Sequence, residues 1–279
     1  MVIPLVTSLF YHFKTTSSTM DSDQQDNEST PAVPQGDANS VALVPFSYGS
    51  PFHNPKELAE RFFYFGDFNV RVKQAWVPDG KGGTDIGFGA AVYEASFLLS
   101  DWLSRDSNLV KDKRVLELGS GVGLVSIVAA KLGAENLVAT DGDAKSLNLT
   151  QENCALNCVN DKVDCKQLMW GDPTNPEAFG DFDVILASDI IARPYREHFP
   201  ALRETLLVHT RPGGLVIIAQ KPRSPHEQVF MRKLVTSGEF ALERCVKPEL
   251  LHADFVHEDV SIWVWRRLDP SKSCADAET

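Results

Sequence analysis

The segment that most constrains this chain is Val115-Leu116-Glu117-Leu118-Gly119-Ser120-Gly121-Val122-Gly123-Leu124. A short apolar run has the character of a buried strand, and it leads into three glycines at alternate positions before a helical pattern opens at Leu124. Glycine lacks a Cβ, so the turn can be sharp and its backbone can approach a ligand closely. The helix that follows offers unpaired N–H groups to polar atoms. Strand, glycine turn and helix together predict an α/β fold with a ligand at the carboxyl edge of its sheet.

The rest of the chain continues that alternation. Strands are predicted at Arg114–Leu118, Leu137–Thr140, Val163–Leu168, Phe182–Ala187, Leu215–Gln220, Phe240–Cys245 and Val260–Trp265. Helices are predicted at Ala90–Leu103, Leu124–Leu132, Ala144–Leu156, Arg196–Val208 and Pro225–Thr236. Such alternation gives a Rossmann-like, mostly parallel sheet with helices on both faces. Ahead of it, Phe62-Phe63-Tyr64-Phe65 and Phe68-Asn69-Val70-Arg71-Val72 flank Gly66-Asp67, which predicts an N-terminal β-hairpin.

Residues 20–39 are polar with almost no large apolar side chains and cannot bury enough surface to order themselves; with the mildly apolar, Ser/Thr-rich start, residues 1–44 are expected to be a flexible tail, with Met20 an alternative start. Residues 271–279 are expected to form a second flexible tail, leaving one domain over 45–270 whose hairpin and first helix occupy 45–110. The chain carries 27 basic and 38 acidic residues, a net charge of −11, which argues against a nucleic-acid partner; it suits a basic protein surface, although keeping the protein soluble is explanation enough. No run approaches the length of a membrane span. Five cysteines without a CxxC pair favour free thiols in a reducing compartment, the cytoplasm or alternatively the nucleus. The histidines are scattered without ligand spacing, so no metal is expected.

The glycine spacing is GxGxG, whereas dinucleotide sites place the third glycine one residue later, where Leu124 stands. Glu117 would repel a pyrophosphate but suits an ammonium group. About twenty residues on, Val138-Ala139-Thr140-Asp141 ends a strand in an acid placed to accept the hydroxyls of a ribose, while Asp143 reads as a helix N-cap. Ala187-Ser188-Asp189 ends the fourth strand of the alternation at the same sheet edge, where ligands bind in such folds. Lys221-Pro222-Arg223 follows the fifth, suited either to an acidic partner segment or to a solvated loop.

These residues carry a resemblance. Glu117 to Leu124 with Ala139-Thr140-Asp141 resembles the class I S-adenosylmethionine (SAM)-dependent methyltransferases. Gly89-Ala90-Ala91-Val92-Tyr93-Glu94-Ala95 and Leu168-Met169-Trp170-Gly171 are similar to the Gly-x-x-x-Trp-(Asp/Pro)-Ala and Leu-x-Trp-Gly elements of the methyltransferase-like protein-lysine methyltransferases. The likeness runs from about Phe62 to Arg267. It implies a seven-stranded sheet with a reversed last strand and SAM at the strand ends. Gly119, Gly121 and Gly123 would approach the cofactor, Glu117 its methionine ammonium and Asp141 its ribose. Trp170 would flank the adenine, with Tyr93 and Ala187 bordering the cofactor.

At the reacting end, the family's Asp-x-x-(Tyr/Phe) reads Asp189-Ile190-Ile191-Ala192 here, so the aromatic is missing, and Tyr195 stands as its candidate replacement beside Asp189. The expectation is methyl transfer to an accessible lysine amine of a protein partner by a monomeric enzyme. Two alternatives stay open: a small-molecule N- or O-methyltransferase, and a SAM-binding module without turnover. No Asn/Asp-Pro-Pro-Tyr element, Pro-Cys nucleophile or GxSxG elbow is present to support nucleic-acid methylation or hydrolysis.

Overall fold

The computed structural model describes residues 54–79, 84–172, 179–252, 259–269 and 271. The tail expected over 1–44, and 271–279 apart from Ser271, lie outside these residues.

The hairpin forms as β1 (Glu60–Phe65) and β2 (Phe68–Lys73), turning at Gly66 with φ of +57°. Alternate side chains Phe63, Phe65, Val70 and Val72 are buried, while Phe62 and Tyr64 face out. The buried rings meet Phe97 of helix α1 (Glu94–Arg105) at 5.8 Å. The free edge of β2 is covered by side-chain amides. Asn153 of α3 (Ala144–Leu156) and Asn157, its C-cap, accept from Lys73 N and Arg71 N at 2.8 and 3.0 Å and donate back to both carbonyls. Two amides thus stand in for a neighbouring strand and tie the hairpin to the main domain.

The main sheet has seven strands: β3 (Arg114–Leu118), β4 (Asn136–Asp141), β5 (Val163–Gln167), β6 (Phe182–Ser188), β7 (Thr210–Gln220), β8 (Phe240–Val246) and β9 (Ser261–Arg267). Their order is β5-β4-β3-β6-β7-β9-β8, parallel from β5 to β7, with β9 running antiparallel between β7 and β8. Alternation along the strands divides the core. Val115, Leu137, Ala139, Val184, Leu186 and Ile217 face α1, α2 (Leu124–Lys131) and α3. Leu116, Leu118, Ile185, Ala187, Val216 and Ile218 face α4 (Phe199–His209) and α5 (Pro225–Thr236). Apolar runs buried on both faces are what a covered parallel sheet requires. The carboxyl ends of β3, β4, β6 and β7 therefore share one edge.

Three elements differ from the sequence expectation. Helix α1 starts at Glu94 rather than Ala90, because Gly87–Ala90 forms a 3-10 turn and the next residues are pinned in extended form. Val92 N donates to Gln74 Oε1 at 2.8 Å, and Arg61 Nη1 donates to Val92 O. The helix expected from Arg196 is a 3-10 turn, Arg193–His198, followed by α4, with Pro194 and Pro200 each opening a new segment. Strand β7 begins at Thr210, five residues before Leu215, with a shift of register against β6 between Phe182 and Val184.

Candidate active site

A cleft of about 840 Å³ opens at the shared strand edge. Its floor is the glycine loop after β3. Ser120 N donates to Thr140 O at 2.8 Å, and Gly123 N closes the turn on Ser120 O at 2.7 Å. Gly121 has φ of +54°, and a Cβ there would lie 3.3 Å from Gly89 Cα; a Cβ on Gly89 would in turn meet Ser146 Oγ at 2.0 Å. The two glycines thus let separate segments cross backbone to backbone.

Asp141 ends β4 in the cleft wall. Its Oδ2 accepts from Gly121 N and its Oδ1 from Asp143 N, both at 3.0 Å, which fixes the carboxylate beside the loop. Burial pushes this carboxyl above its usual range, while the N–H bonds from Asp143 and Gly121 pull it back. Asp143 is the N-cap of α3, accepting from Lys145 N and Ser146 N at 2.7 and 3.0 Å. An aromatic wall stands opposite. Tyr195 meets Trp170 edge-on at 6.0 Å and Phe88 at 6.1 Å. The phenol of Tyr195 is raised by burial and then by the charges of Asp141 and Asp143. Glycine loop, ribose-type acid and aromatic wall fit a nucleoside whose other end carries polar groups, and the volume is that of a small-molecule site.

Asp189 follows β6 with φ of +59°, a left-handed conformation rare outside glycine, which turns its side chain into the cleft. Its carboxylate is held by a bidentate pair from Arg223: Nη1 to Oδ1 at 2.7 Å and Nη2 to Oδ2 at 2.5 Å. Gln220 Nε2 and Lys221 N also donate to Oδ1, at 3.3 and 3.4 Å. Tyr93 borders this end of the cleft. Its phenol is pushed up to about 12, first by burial and then by the charges of Asp189 and Glu94. The ammonium of Lys56 lies 4.4 Å above the Tyr93 ring and 3.9 Å from Glu94 Oε1.

The structure brings Tyr93, Gly119, Gly121, Asp141, Trp170, Asp189 and Tyr195 to one cleft. Tyr195 packs at the Asp141 side, between Phe88 and Trp170, whereas the partners of the Asp189 carboxylate are Arg223, Gln220 and Lys221. Glu117, Gly123 and Ala187 lie behind the wall. Glu117 is 1% exposed, accepts from the Ser126 hydroxyl of α2 and has its carboxyl pushed up to about 8 by burial. Gly123 backs onto Thr150, and Ala187 packs among the side chains under α4 and α5. Sequence reasoning did not find Lys56 or Phe88, and it did not connect Arg223 with Asp189. The position of Arg223 after β7 was legible, but its pairing with a residue 34 positions away was not.

The family model for lysine methyltransferases matches residues 80–237. The chain belongs to the lysine methyltransferase family. It is 30% identical to the protein N-lysine methyltransferase METTL21A of Danio rerio over 198 residues, 70% of this chain and 86% of that protein. It is 37% identical to the protein-lysine N-methyltransferase EFM3 of Chaetomium thermophilum over 147 residues, 49% of this chain and 43% of that one. Among solved structures, the 16S rRNA N2 G1207 methyltransferase RsmC of T. thermophilus superposes with a TM-score of 0.52 at 19% identity, covering 75% of this chain and 50% of that one. This last likeness concerns the fold alone. The chain thus spans about half the length of the RsmC and EFM3 chains and most of METTL21A.

Proposed function

We propose that this lysine methyltransferase transfers a methyl group from SAM to a lysine amine on a folded protein partner, with Asp189 receiving the amine. The observation that carries the reading is the common cleft: Asp189 at the end of β6 and Asp141 at the end of β4 open into the same volume above the glycine loop. Bound SAM supplies an electrophilic methyl group on a sulfonium sulfur, so the protein's task is to align and desolvate the incoming nitrogen. Asp141 accepts the ribose hydroxyls, the glycine loop leaves room for the cofactor backbone, and Trp170 with Tyr195 walls the base. Tyr93 closes the reacting end, where the family aromatic is replaced by Ala192. Asp189 accepts an N–H of the amine and so aims its lone pair at the methyl group, once the ammonium has given its proton to solvent.

Phe88 and Met169 are each 55% exposed and contribute to the cleft lining, a surface suited to a macromolecular partner. We take a monomer as the working state, which light scattering in solution tests. Cys154, Cys158, Cys165 and Cys245 are free thiols, which suits the cytoplasm or the nucleus.

The test is to incubate the protein with methyl-labelled SAM and cell lysate, hydrolyse the protein fraction and separate the labelled amino acids. Labelled methyl-lysine is expected. Label confined to the small-molecule fraction would overturn the protein substrate, and a melting temperature unmoved by saturating SAM and its demethylated product would overturn the cofactor site.

A further inference from the structure

The pair that holds Asp189 raises a question of charge. A lysine amine approaching this carboxylate finds both oxygens engaged by the Arg223 fork, at 2.7 and 2.5 Å. A second cation cannot join without being repelled by the guanidinium, and removing the guanidinium without a new partner would leave a desolvated charge, which is costly. Docking of a lysine ammonium on Asp189 is therefore favoured when Arg223 is handed to another carboxylate.

Among the described residues, the other carboxylates of the cleft are already engaged or enclosed. Asp141 is bound by two backbone N–H groups, and Asp143 is spent on the cap of α3. Glu227 is 1% exposed; its Oε2 accepts from Arg223 N and Ser224 N at 2.5 and 3.2 Å, and its Oε1 is buried without a hydrogen-bond partner, so it would take the guanidinium only by burying it. Glu94 lies beside the Lys56 ammonium. The bonds to Glu227 and the flanking prolines, Pro222 and Pro225, fix the backbone at residue 223 at the start of α5. Only the side chain is left to swing, and it is 43% exposed at the cleft, against 12% for Asp189. Lys56 lines the same cleft, so a second cation stands along it although the chain as a whole carries −11.

We propose that Arg223 is a specificity-determining residue that reads a substrate carboxylate, an aspartate or glutamate beside the target lysine. On docking, the guanidinium passes from Asp189 to the substrate acid, and the lysine ammonium takes its place on Asp189, losing a proton to solvent before the neutral amine attacks. Two opposite-charge pairs replace one pair and two solvated ions, so charge balances throughout. A substrate with a neutral or basic neighbour has nothing to draw Arg223 away, and Asp189 stays blocked. This inference rests on the lysine-methylation reading and adds the chemistry of the partner surface.

The test starts from a methylated protein recovered by labelling a lysate with the full-length enzyme, its site mapped by mass spectrometry. The acid nearest the modified lysine is then changed to its amide, and kcat/KM is measured for the wild-type enzyme and for Arg223→Ala. We expect the amide to lower kcat/KM about tenfold or more in the wild type, from the loss of a charge-assisted bidentate contact, and about twofold or less in Arg223→Ala. SAM affinity and melting temperature of the variant are the folding controls, and Arg223→Lys, which keeps the charge but not the fork, should show an intermediate ratio if the alanine variant is unstable. An equal loss in both enzymes, or a recovered site with no carboxylate near its lysine, would overturn the inference while leaving lysine methylation intact. Absence of transfer to any protein would overturn the lysine reading and this inference with it.

Discussion

Replacing Glu117 by glutamine should remove a large pH dependence from the stability of the SAM-free protein. Its carboxyl is 1% exposed, and burial pushes it from 4.5 up to about 8 against the pull of the Ser126 hydroxyl. Below pH 4.5 both folded and unfolded chains hold the proton, and the stabilising contribution is fully present. Between 4.5 and 8 the folded protein keeps a proton that the unfolded chain has released, so stability falls by ~1.4 kcal/mol for each pH unit of rise. Across the whole window the loss is on the order of 5 kcal/mol. Glutamine has the same shape and no proton to lose, so Glu117→Gln should lack this slope. The assay is the melting temperature of both proteins from pH 5 to pH 8, read as a difference curve. The variant should gain on the wild type as pH rises, by roughly 8 °C or more in a chain of this size. A flat difference curve would refute the reasoning, because it would mean that Glu117 titrates alike in the folded and unfolded states.

Three further outcomes follow from the cleft. Gly121→Ala should weaken SAM binding sharply and cost about 1–2 kcal/mol of stability, since φ is +54° and the new Cβ would press on Gly89 at 3.3 Å; calorimetry and melting separate the two effects. Asp141→Asn should reduce SAM affinity by about tenfold or more, roughly 1.4 kcal/mol, measured by titration calorimetry; an unchanged affinity would remove it from the ribose role. Asp143→Ala should behave differently, costing about 1 kcal/mol through the α3 N-cap in a denaturant melt while leaving SAM affinity within about twofold.

Much of this fold was legible because its sheet is buried on both faces. Apolar runs such as Arg114–Leu118 and amphipathic stretches such as Ala144–Leu156 and Pro225–Thr236 appear in the structure with the bounds their sequence suggests. What was not legible depends on contacts distant in sequence. Nothing near Val92 says that Gln74 and Arg61 will hold it extended and delay α1 to Glu94. The strand expected from Leu215 begins at Thr210, because β7 pairs with β6 again at Phe182 after a shift of register. In the site, strand-end acids could be placed from their position alone, because parallel strands bring their carboxyl ends to one edge. The partners of those acids could not: Arg223 on Asp189, and Glu117 turned towards α2 rather than lining the cleft, are products of packing.

The central claim is that Asp189 serves methyl transfer to a protein lysine, and the most direct measurement compares wild type with Asp189→Ala in a lysate supplied with methyl-labelled SAM. The account expects a labelled protein band in the wild-type reaction and a loss of about a hundredfold or more in the variant, with SAM affinity within about twofold. A band of equal intensity in both reactions would contradict it, because the carboxylate would then have no part in receiving the amine.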